Sequence, residues 1–532
     1  MLRGYMKESK EDSVDLGGIS AASLEMIVDF IYSGEMNLDL DCLIDVLNAA
    51  NHLQIQTALD LCSDYIISLL TFDNAESLVQ ITDTYSLDRV KEFYTEKLLA
   101  EFEEFSHSST FLSLTSPQLI AYLSDDRLKV KSEVGLLDVV MQWLSHDEKR
   151  GDFLPQVIKC IRFALMSKAD LQTALQHPLF LKHPSMVSCM QVGLQYHSES
   201  AAGHPWISES ARIRSCSPAL VLVHQGSSLR PFEITAYDQK NSRFTQLISG
   251  TNGCRDCRIA SVDDFIFICR VIDSGGGTLI SSLLRFDPRH LTLTMLTSGR
   301  QPRIDPALVA CGRRLYNFGG CVDVPQGSRG NTILNLVECY DVGSNSWSVL
   351  SPLPQRTHSH AAVLAKNQIY LSGGVTDPSR VVTADVLAYD PIINTYSYKA
   401  PMNCARRLHE MALLNSSIYV LGGIGSHSFH QQTQISIECY SLDTDQWTVL
   451  SPTLAGRSVG HFIAFQDGIL SLGREHHQAT EDDIWKYDTK CDKWDTFIKA
   501  PNRTSLSSTS SILIHINFCD EKVAKKVIIE RR

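Results

Sequence analysis

The stretch Leu315-Tyr316-Asn317-Phe318-Gly319-Gly320 combines a short apolar run, aromatic rings and a double glycine. It is followed by Glu338-Cys339-Tyr340-Asp341 and then by Trp347. The same order of residues returns elsewhere in the second half of the chain, with the double glycine kept in some copies and lost in others. In all six copies a second large residue lies seven positions after the first, in the pairs Tyr237/Phe244, Phe286/Leu293, Tyr340/Trp347, Tyr389/Tyr396, Tyr440/Trp447 and Tyr487/Trp494.

The first members of these pairs recur along the chain with a period of about 50 residues. Such a period, with paired glycines and spaced aromatic rings, is typical of a β-propeller of the kelch type, in which each repeat forms one four-stranded blade. We expect the double glycines to adopt positive φ where the chain turns near the axis. The paired rings should lie on neighbouring strands and pack between blades. An ordinary hairpin could produce any one copy, but six copies in register favour the propeller.

The first repeat lacks one strand, because Val221-Leu222-Val223 follows directly on a segment with Gly203, Pro205 and Pro218. Residues 511–516, after the last repeat, lie at about the spacing of a further first strand. A propeller that does not close leaves unpaired strand edges. We therefore predict that 511–516 pair with the first repeat and complete its blade.

The length and composition indicate two or three globular domains, since 532 residues exceed what one core supports. No apolar run approaches the roughly 20 residues that span a bilayer. Residues 7–12 are charged at every position except Ser9, where a secretory signal would be apolar. The sequence therefore predicts a cytoplasmic protein without membrane contact, with the nucleus as an open alternative. The 15 cysteines are then expected to be reduced thiols.

The charge of the chain is uneven, with 21 acidic and 6 basic side chains in residues 1–110. Such an acidic segment argues against nucleic-acid binding, because phosphates attract the opposite sign. It suits a protein partner with a basic face, or else it is simply a solvated acidic surface.

Residues 1–200 show helical rather than strand periodicity. Apolar residues recur every three or four positions over 20–32, 40–53 and 57–70, and again in segments between 74 and 165. Ser20 and Ser132 are predicted to cap helices and Gly34 to end one. Trp143 is predicted to be a core residue.

The stretches Met6-Lys7-Glu8-Ser9, Ile31-Tyr32-Ser33-Gly34 and 47–54 resemble the second half of a BTB domain. In that family the domain begins some tens of residues earlier, with the strand and helices that form its homodimer interface. The resemblance thus implies an N-terminally incomplete BTB domain whose remaining helices expose an apolar face. A homodimer is possible in this family, and the resemblance leaves it open here.

Further along, Phe111-Leu112-Ser113-Leu114, Asp126-Arg127-Leu128 and 143–147 resemble a BACK domain, which follows BTB in kelch-like proteins. The chain as a whole therefore resembles the BTB–BACK–kelch family. The expected fold is multidomain, with an α-helical BTB remnant and BACK domain followed by an all-β six-bladed kelch propeller. The predicted boundaries are 1–70 for the partial BTB domain, 71–200 for the BACK helical domain, 201–217 for a linker, 218–518 for the propeller and 519–532 for a C-terminal tail.

The resemblance implies a substrate-recognition adaptor of a cullin-3 RING E3 ubiquitin ligase, which holds an unidentified protein substrate and performs no bond chemistry. Met6 and Glu8 match the hydrophobic-x-Glu motif by which BTB domains of this family bind cullin-3. Met6 would fill an apolar pocket, and Glu8 would anchor by charge or as a helix cap. The main alternative is a scaffold whose propeller binds actin or related filaments without a ligase role. A third is an enzyme with a propeller active site.

Arginines recur in the loops before successive strands, at a nearly constant distance ahead of the strand's ring or leucine. One interpretation is structural, since an arginine can bond carbonyls between blades. The other is a basic rim that pairs with an acidic peptide. The resemblance favours these loops, and those after the double glycine, for partner binding. The candidate residues are Arg303, Arg356, Arg406 and Arg457, with Arg407, His358, His360, His409 and His461 beside them and Cys321, Val375, Ile424 and Arg474 after the glycines.

No converging set of nucleophile, acid, base or metal ligands is evident in the sequence. We therefore predict no catalytic residue, cofactor or metal. Cys254-Arg255-Asp256-Cys257 forms a CxxC pair, but no second pair stands at zinc-site spacing. Its role as a loop pair, a metal site or a redox pair is left open.

Overall fold

The computed structural model describes residues 16–176, 184–201, 211–214, 218–226, 232–239, 242–250, 253–273, 278–322, 331–425, 436–452, 461–472, 484–498 and 509–516. The chain divides into two compact units, which meet in sequence between Ile161 and Arg162. The described part of the first unit is helical, and that of the second is mainly β-sheet.

The first unit is built from short helices joined by brief turns. They are α1 (Ala21–Ser33), α2 (Leu40–His52), α3 (Gln56–Leu69), α4 (Ala75–Tyr85), α5 (Asp88–Ala100), α6 (Phe102–Phe105), α7 (Ser109–Ser113), α8 (Ser116–Ser124), α9 (Glu133–Ser145), a 3₁₀ helix (Glu148–Phe153) and α10 (Leu154–Ile158).

The predicted helix boundaries are confirmed where the sequence carries capping residues. The Ser20 hydroxyl accepts a hydrogen bond from the backbone N–H of Ser23 at 3.2 Å and so begins α1. Gly34 ends α1 in the left-handed conformation, with φ of 75°. Ser132 caps α9 in the same way as Ser20 caps α1. Trp143 on α9 is buried, as predicted.

The first two helices display the exposed apolar face that the resemblance implies. Large apolar side chains on both helices are between 42% and 88% exposed, namely Val28, Ile31, Tyr32, Leu40 and Ile44. The opposite face of each helix is buried in the core of this unit, through Ile27 of α1 and Leu43, Val46 and Leu47 of α2.

The second unit contains six four-stranded antiparallel sheets among its described residues, which form six blades. Blade 1 is β29 (Thr509–Ile514), β1 (Ala219–His224), β2 (Glu233–Asp238) and β3 (Arg243–Ser249); blade 2 is β4 (Asp256–Val262), β5 (Phe265–Asp273), β6 (Leu279–Asp287) and β7 (Thr292–Leu296); blade 3 is β8 (Ala307–Cys311), β9 (Arg314–Phe318), β12 (Val337–Asp341) and β13 (Ser346–Val349).

The remaining blades repeat this order. Blade 4 is β15 (Ala361–Ala365), β16 (Gln368–Ser372), β19 (Val386–Asp390) and β20 (Thr395–Lys399); blade 5 is β21 (Arg407–Leu414), β22 (Ser417–Ile424), β23 (Ser436–Ser441) and β24 (Gln446–Pro452); blade 6 is β25 (His461–Phe465), β26 (Gly468–Leu472), β27 (Ile484–Asp488) and β28 (Lys493–Ile498). Two small sheets lie in the loops, formed by β10 (Cys321–Val322) with β11 (Thr332–Ile333) and by β14 (Arg356–His358), β17 (Val375–Asp377) and β18 (Val381–Val382).

The predicted closure of the ring is confirmed. The C-terminal strand β29 pairs antiparallel with β1, with Leu513 opposite Leu220 and Ser511 opposite Leu222. The innermost strands contact one another in the order β29, β4, β8, β15, β21 and β25, and β25 contacts β29 again. The blades therefore circle one axis, and the predicted six-bladed propeller is confirmed.

The paired large residues of the repeat lie directly opposite each other on the third and fourth strands of every blade. They also join neighbouring blades, as predicted. The indole N–H of Trp347 donates to the Thr297 carbonyl of the preceding blade at 2.7 Å, and Trp447 does the same to Ala400. These bonds link the fourth strand of one blade to a backbone carbonyl of the preceding blade.

A further residue of the repeat was missed by the sequence analysis. An Asn or Asp five positions after the ring residue has positive φ and accepts from the ring hydroxyl. Its carboxyl or amide oxygen also accepts a backbone N–H of the preceding blade, as Asp445 does from Ala400 at 2.9 Å. The members of this set are Asn345, Asn394, Asp445 and Asp492.

The double glycines adopt positive φ, as predicted, with values of 55° and 94° at Gly319 and Gly320. A side chain at Gly319 would overlap the backbone of the next blade, because its Cβ would meet the carbonyl oxygen of Thr357. The glycines thus permit close approach of the backbones of adjacent blades.

A helical segment of the second unit packs against blade 2. It comprises a 3₁₀ helix (Phe163–Leu165), α11 (Lys168–Ala174) and α12 (Pro184–Ala201). The Tyr196 hydroxyl donates to Asp287 at 2.7 Å, and Arg289 donates to the Ala211 carbonyl at 2.6 Å. Within the predicted linker the structure describes Ala201 and 211–214, and Ala211 there is buried in the same apolar cluster as Tyr196.

Candidate functional site

The loops before the inner strands and the loops after the double glycines lie at the same end of the propeller. The reason is that the first two strands of each blade are antiparallel, so one begins where the other ends. The strand β14 before blade 4 pairs directly with β17 after its double glycine, and Ile304 bridges to Cys321 in the same way. We call this end the loop face, which comprises residues 301–306, 321–322, 331–336, 354–360, 374–385 and 403–409.

Two of the predicted rim arginines are buried on this face rather than displayed. Arg303 and Arg406 are 4% and 0% exposed. The guanidinium of Arg303 bonds the carboxylate of Glu338, and that of Arg406 bonds Glu438 at 2.5 Å. For Arg303 and Arg406 the structure therefore agrees with the structural interpretation of the recurring arginines and not with an exposed basic rim.

Each of these arginines also fastens the loops of its own blade. Arg406 donates to the carbonyls of Gly422 at 3.2 Å and Ser436 at 3.1 Å. Arg303 donates to the corresponding carbonyls of Gly319 at 3.2 Å and Leu336 at 3.1 Å. A buried guanidinium needs such partners for its donors, since an unpaired charge in the interior is costly.

Arg356 of blade 4 differs because it stands one position earlier in the repeat. It is one position further from Tyr370 than Arg303 is from Tyr316 or Arg406 is from Tyr419. Such a shift in extended chain turns the side chain to the other side. The Arg356 side chain is accordingly 55% exposed, and it forms a loose ion pair with Asp377 at 3.6 Å.

Basic residues of three loops lie on the loop face. Burial lowers the pKa of His358, and the neighbouring charges of Arg407 and Arg380 lower it further against the opposing effect of Asp305. The His358 ring lies 2.9 Å from the Ser359 hydroxyl. We call Arg356, Arg380 and Arg407, which lie on the loop face with His358, the cationic cluster.

The central channel opens onto the same face through a cavity of about 220 Å³. Its lining comes from all six inner strands or the residues just before them. At the mouth Arg258 pairs with Asp305 at 2.9 Å, and the Ser359 hydroxyl donates to Asp305 at the same distance. On the other side of the channel, His461 of blade 6 contacts Glu410 of the neighbouring blade 5 at 3.1 Å.

The two other predicted histidines lie behind the double glycines. His360 and His409 are buried, with 8% and 4% exposure. Burial lowers the pKa of each to about 3, so both rings are neutral at physiological pH. His409 bonds the Ser372 hydroxyl at 2.8 Å, while neither ring nitrogen of His360 has a hydrogen-bond partner among the described residues.

The CxxC pair lies at the start of the inner strand of blade 2. Cys257 is buried and Cys254 is partly exposed. A hydrogen bond between the two thiols lowers the pKa of Cys254 and raises that of Cys257. In the part of the chain that the structure describes, no group of three or more His, Cys, Asp or Glu residues is placed to hold a metal ion.

The other predicted site residues, Met6, Glu8, Arg457 and Arg474, lie outside the described residues. Among the helices that are described, none is both long and apolar enough to cross a membrane.

Comparison with known proteins agrees with the architecture. The family model for the Kelch-like protein 33-like BTB/POZ domain matches residues 1–63, and the model for BACK (BTB And C-terminal Kelch) matches 76–176. The KLHDC2/KLHL20/DRC7 Kelch-repeats domain matches 273–423 and 305–517.

Relatives match this chain over nearly its whole length. Kelch-like protein 26 of Mus musculus is 30% identical over 97% of this chain and 86% of its own length. Kelch-like protein 36 of the same species is 29% identical over 96% and 84%. Kelch-like protein 15, also from Mus musculus, is 25% identical over 93% and 85%. The chain therefore belongs to the kelch-like family of BTB–BACK–kelch proteins.

Proposed function

We propose that this chain is a substrate-recognition adaptor of a cullin-3 RING E3 ubiquitin ligase that holds its target on the loop face of the propeller. Members of the kelch-like family are generally cullin-3 substrate adaptors and are generally non-enzymatic. The observation that carries the proposal is the presence of family matches to BTB, BACK and kelch repeats in that order on one chain. The propeller would hold the target near the ligase, so that catalysis by the complex gains from proximity.

The target-binding part of the proposal is supported by the loop face. This face carries two additional small sheets at blades 3 and 4, formed by β10 with β11 and by β14, β17 and β18. It also carries the cationic cluster, whose guanidinium groups can pair with carboxylates in a bidentate manner. An acidic segment of the target suits this cluster.

Capture of cullin-3 by the full-length chain tests the ligase role. We expect the wild-type chain to retain cullin-3 and the Met6→Ala/Glu8→Ala variant to lose it, because these residues match the family's cullin-binding motif. Lys7→Ala, between them, is the matched control and should retain cullin-3. A wild-type chain that captures no cullin-3 but sediments with actin filaments would favour the scaffold alternative.

Affinity mass spectrometry on the full chain tests the target-binding face. Proteins held by the cationic cluster should be lost from Arg356→Ala/Arg380→Ala and kept by Arg314→Ala. Arg314 is a suitable control because it is an exposed arginine, 56% accessible, at the opposite end of blade 3. Equal capture by all three chains would remove the cluster from the proposal.

The proposal places the protein in the cytoplasm, with the nucleus as the second compartment to examine. Fluorescence imaging of the tagged full chain distinguishes the two. Homodimerisation through the BTB part is tested by light scattering of the purified chain, and the mass of a monomer would contradict it.

A further inference from the structure

Blade 4 has the backbone of its neighbours at the loop face but not their buried ion pair. The carbonyl of Thr357 accepts from the N–H of Gly320 at 2.9 Å, as the carbonyl of Arg406 accepts from Gly374. Thr357 therefore stands in blade 4 where Arg406 stands in blade 5. On the third strand Leu387 pairs with the fourth strand at the place where Glu338 and Glu438 do in blades 3 and 5.

A small cavity lies at this place in blade 4. It has a volume of about 30 Å³ and is lined by Thr357, Gly373, Asp385, Leu387, His360 and Tyr398, among others. By the same measure one water needs about 10–15 Å³, so the cavity accommodates about two water-sized groups, such as the two terminal NH₂ groups of a guanidinium. We call it the blade 4 slot.

The slot is lined by the same backbone positions that bind guanidinium groups elsewhere in the ring. Gly373 occupies the position of Gly319 in blade 3 and Gly422 in blade 5. Asp385 occupies the position of Leu336 and Ser436. In blades 3 and 5 the carbonyls at both positions accept hydrogen bonds from the buried arginine. The Asp385 carbonyl accepts the Gly373 N–H at 3.0 Å, and the Leu336 carbonyl accepts the Gly319 N–H at 2.9 Å. Leu336 accepts from Arg303 as well, because a carbonyl oxygen can take two donors.

The side chains around the slot add acceptors and no cation. The carboxylate-bearing residue Asp385 and the ring of Tyr398 are exposed beside it, and Tyr398 is 62% accessible. His360 is more than nine-tenths buried against it and has no hydrogen-bond partner for either nitrogen among the described residues. Burial keeps this imidazole neutral by lowering its pKa to about 3, so one of its nitrogens is an acceptor.

We propose that the blade 4 slot binds the guanidinium group of an arginine side chain presented by the target protein. The planar group with five donors fits a fan of carbonyls better than the single ammonium of lysine. Asp385 supplies the countercharge that Glu338 and Glu438 supply in the neighbouring blades, and Tyr398 offers a ring face to the cation. The inference rests on the proposed function, since it takes the propeller to be the part that holds the target.

The test uses the full-length chain and the peptides acetyl-Gly-Arg-Gly-amide and acetyl-Gly-citrulline-Gly-amide, compared by titration calorimetry. Citrulline has nearly the same shape as arginine without the charge. We expect the arginine peptide to bind at least about tenfold more tightly, which corresponds to one charge-assisted hydrogen bond. Equal binding of both peptides would overturn the proposal and leave the slot as a site for water alone.

Two variants locate the binding. Asp385→Asn should weaken the arginine peptide about tenfold, whereas Asp377→Asn, an acidic control in the same loop, should not. Thr357→Arg/Leu387→Glu rebuilds the buried pair of blades 3 and 5 and should abolish binding while the chain stays folded. Binding that survives in the folded double variant contradicts the proposal, and if that variant fails to fold, Asp385→Asn decides. Capture of cullin-3 by the same proteins does not depend on the slot. A wild-type chain that binds the arginine peptide but does not capture cullin-3 would therefore contradict the adaptor role and leave the slot proposal intact.

Discussion

Blades 3 and 5 bury an arginine–glutamate pair at the loop face, whereas blade 4 has Thr357 and Leu387 on the same backbone. In blades 3 and 5 the guanidinium donates its hydrogen bonds to backbone carbonyls and a carboxylate of the same blade. In blade 4 the nearby Arg356 is displaced by one position and is exposed. The comparison teaches that recurrence of an arginine in a repeat does not define its role. The arginine is buried in blades 3 and 5, where it stands one position closer to the ring of the second strand than Arg356 does and where a glutamate lies two positions before the ring of the third strand.

The largest effect is expected from breaking a buried pair. Arg406→Ala leaves the carboxylate of Glu438, which is 0% exposed, without its cation. This should lower the free energy of unfolding by about 3–5 kcal/mol, as measured by urea denaturation. Arg356→Ala is the matched change in blade 4 and should cost less than about 0.5 kcal/mol. Similar losses for the two variants would erase the distinction between the blades.

The double glycine is common to both kinds of blade and should matter equally in them. Gly319→Ala places a Cβ against the Thr357 carbonyl, and Gly373→Ala places one against Arg406. We expect each to cost about 2–4 kcal/mol, from overpacking and from the left-handed backbone. Gly312→Ala is the control, because its φ of 56° is similar but its Cβ would meet no atom within 4 Å. A loss at Gly312 as large as that at Gly319 would show that backbone strain alone is responsible.

Acid should destabilise the junctions before and after blade 4 through their histidines. His360 and His409 have pKa values lowered by burial to about 3, against about 6.5 in the unfolded chain. The unfolded state therefore binds protons more readily, and stability falls as the pH drops below about 6.5 towards 3. Each ring should remove about 2 kcal/mol between pH 6.5 and 5. Denaturation of His409→Gln across this range should show a shallower pH dependence than the wild type, and an unchanged slope would contradict the assignment.

A smaller effect is expected where the blades are alike. Tyr440→Phe in blade 5 and Tyr389→Phe in blade 4 each remove a hydroxyl that donates at 2.7 Å to the turn Asp or Asn. Both should lower the free energy of unfolding by about 1 kcal/mol. Tyr398→Phe, at an exposed ring, should change it very little. Unequal losses at Tyr440 and Tyr389 would extend the difference between blades 4 and 5 beyond the loop face.

The sequence predicted most of the propeller because its signals are repeated and local. The constant spacing of Tyr340 and Trp347 is the span of one turn between two strands, so it indicated the register of the third and fourth strands. The closing strand followed from the need to leave no open edge, and its pairing with β1 confirms it. The turn residue at Asn345 and its counterparts was visible at a constant position, but its role depends on a backbone N–H of another blade.

The candidate site was harder to predict because it depends on the exact register of single residues in loops. The spacings from Arg356 to Tyr370 and from Arg406 to Tyr419 differ by a single position and look equivalent in the sequence. They nevertheless separate a buried arginine from an exposed one. The glutamates of the Glu-Cys-Tyr triplets at 338–340 and 438–440 recur at the same position of the repeat. Their pairing with an arginine could be predicted only once the third strand is known to lie next to the loop that carries the arginine. The small sheets of the loop face contain strands too short for periodicity to indicate.

The pairing of β29 with β1 has a consequence for how the protein is made. The ribosome delivers every other described strand of the ring before β29, so the edge of β1 stays unpaired until 509–514 are made. An mRNA truncated within the codons for 509–516 would yield a chain in which blade 1 cannot complete its four-stranded sheet. Chaperones and proteases act on such exposed edges. Residues 509–514 thus determine whether the sheet of blade 1 leaves synthesis with its inner edge paired.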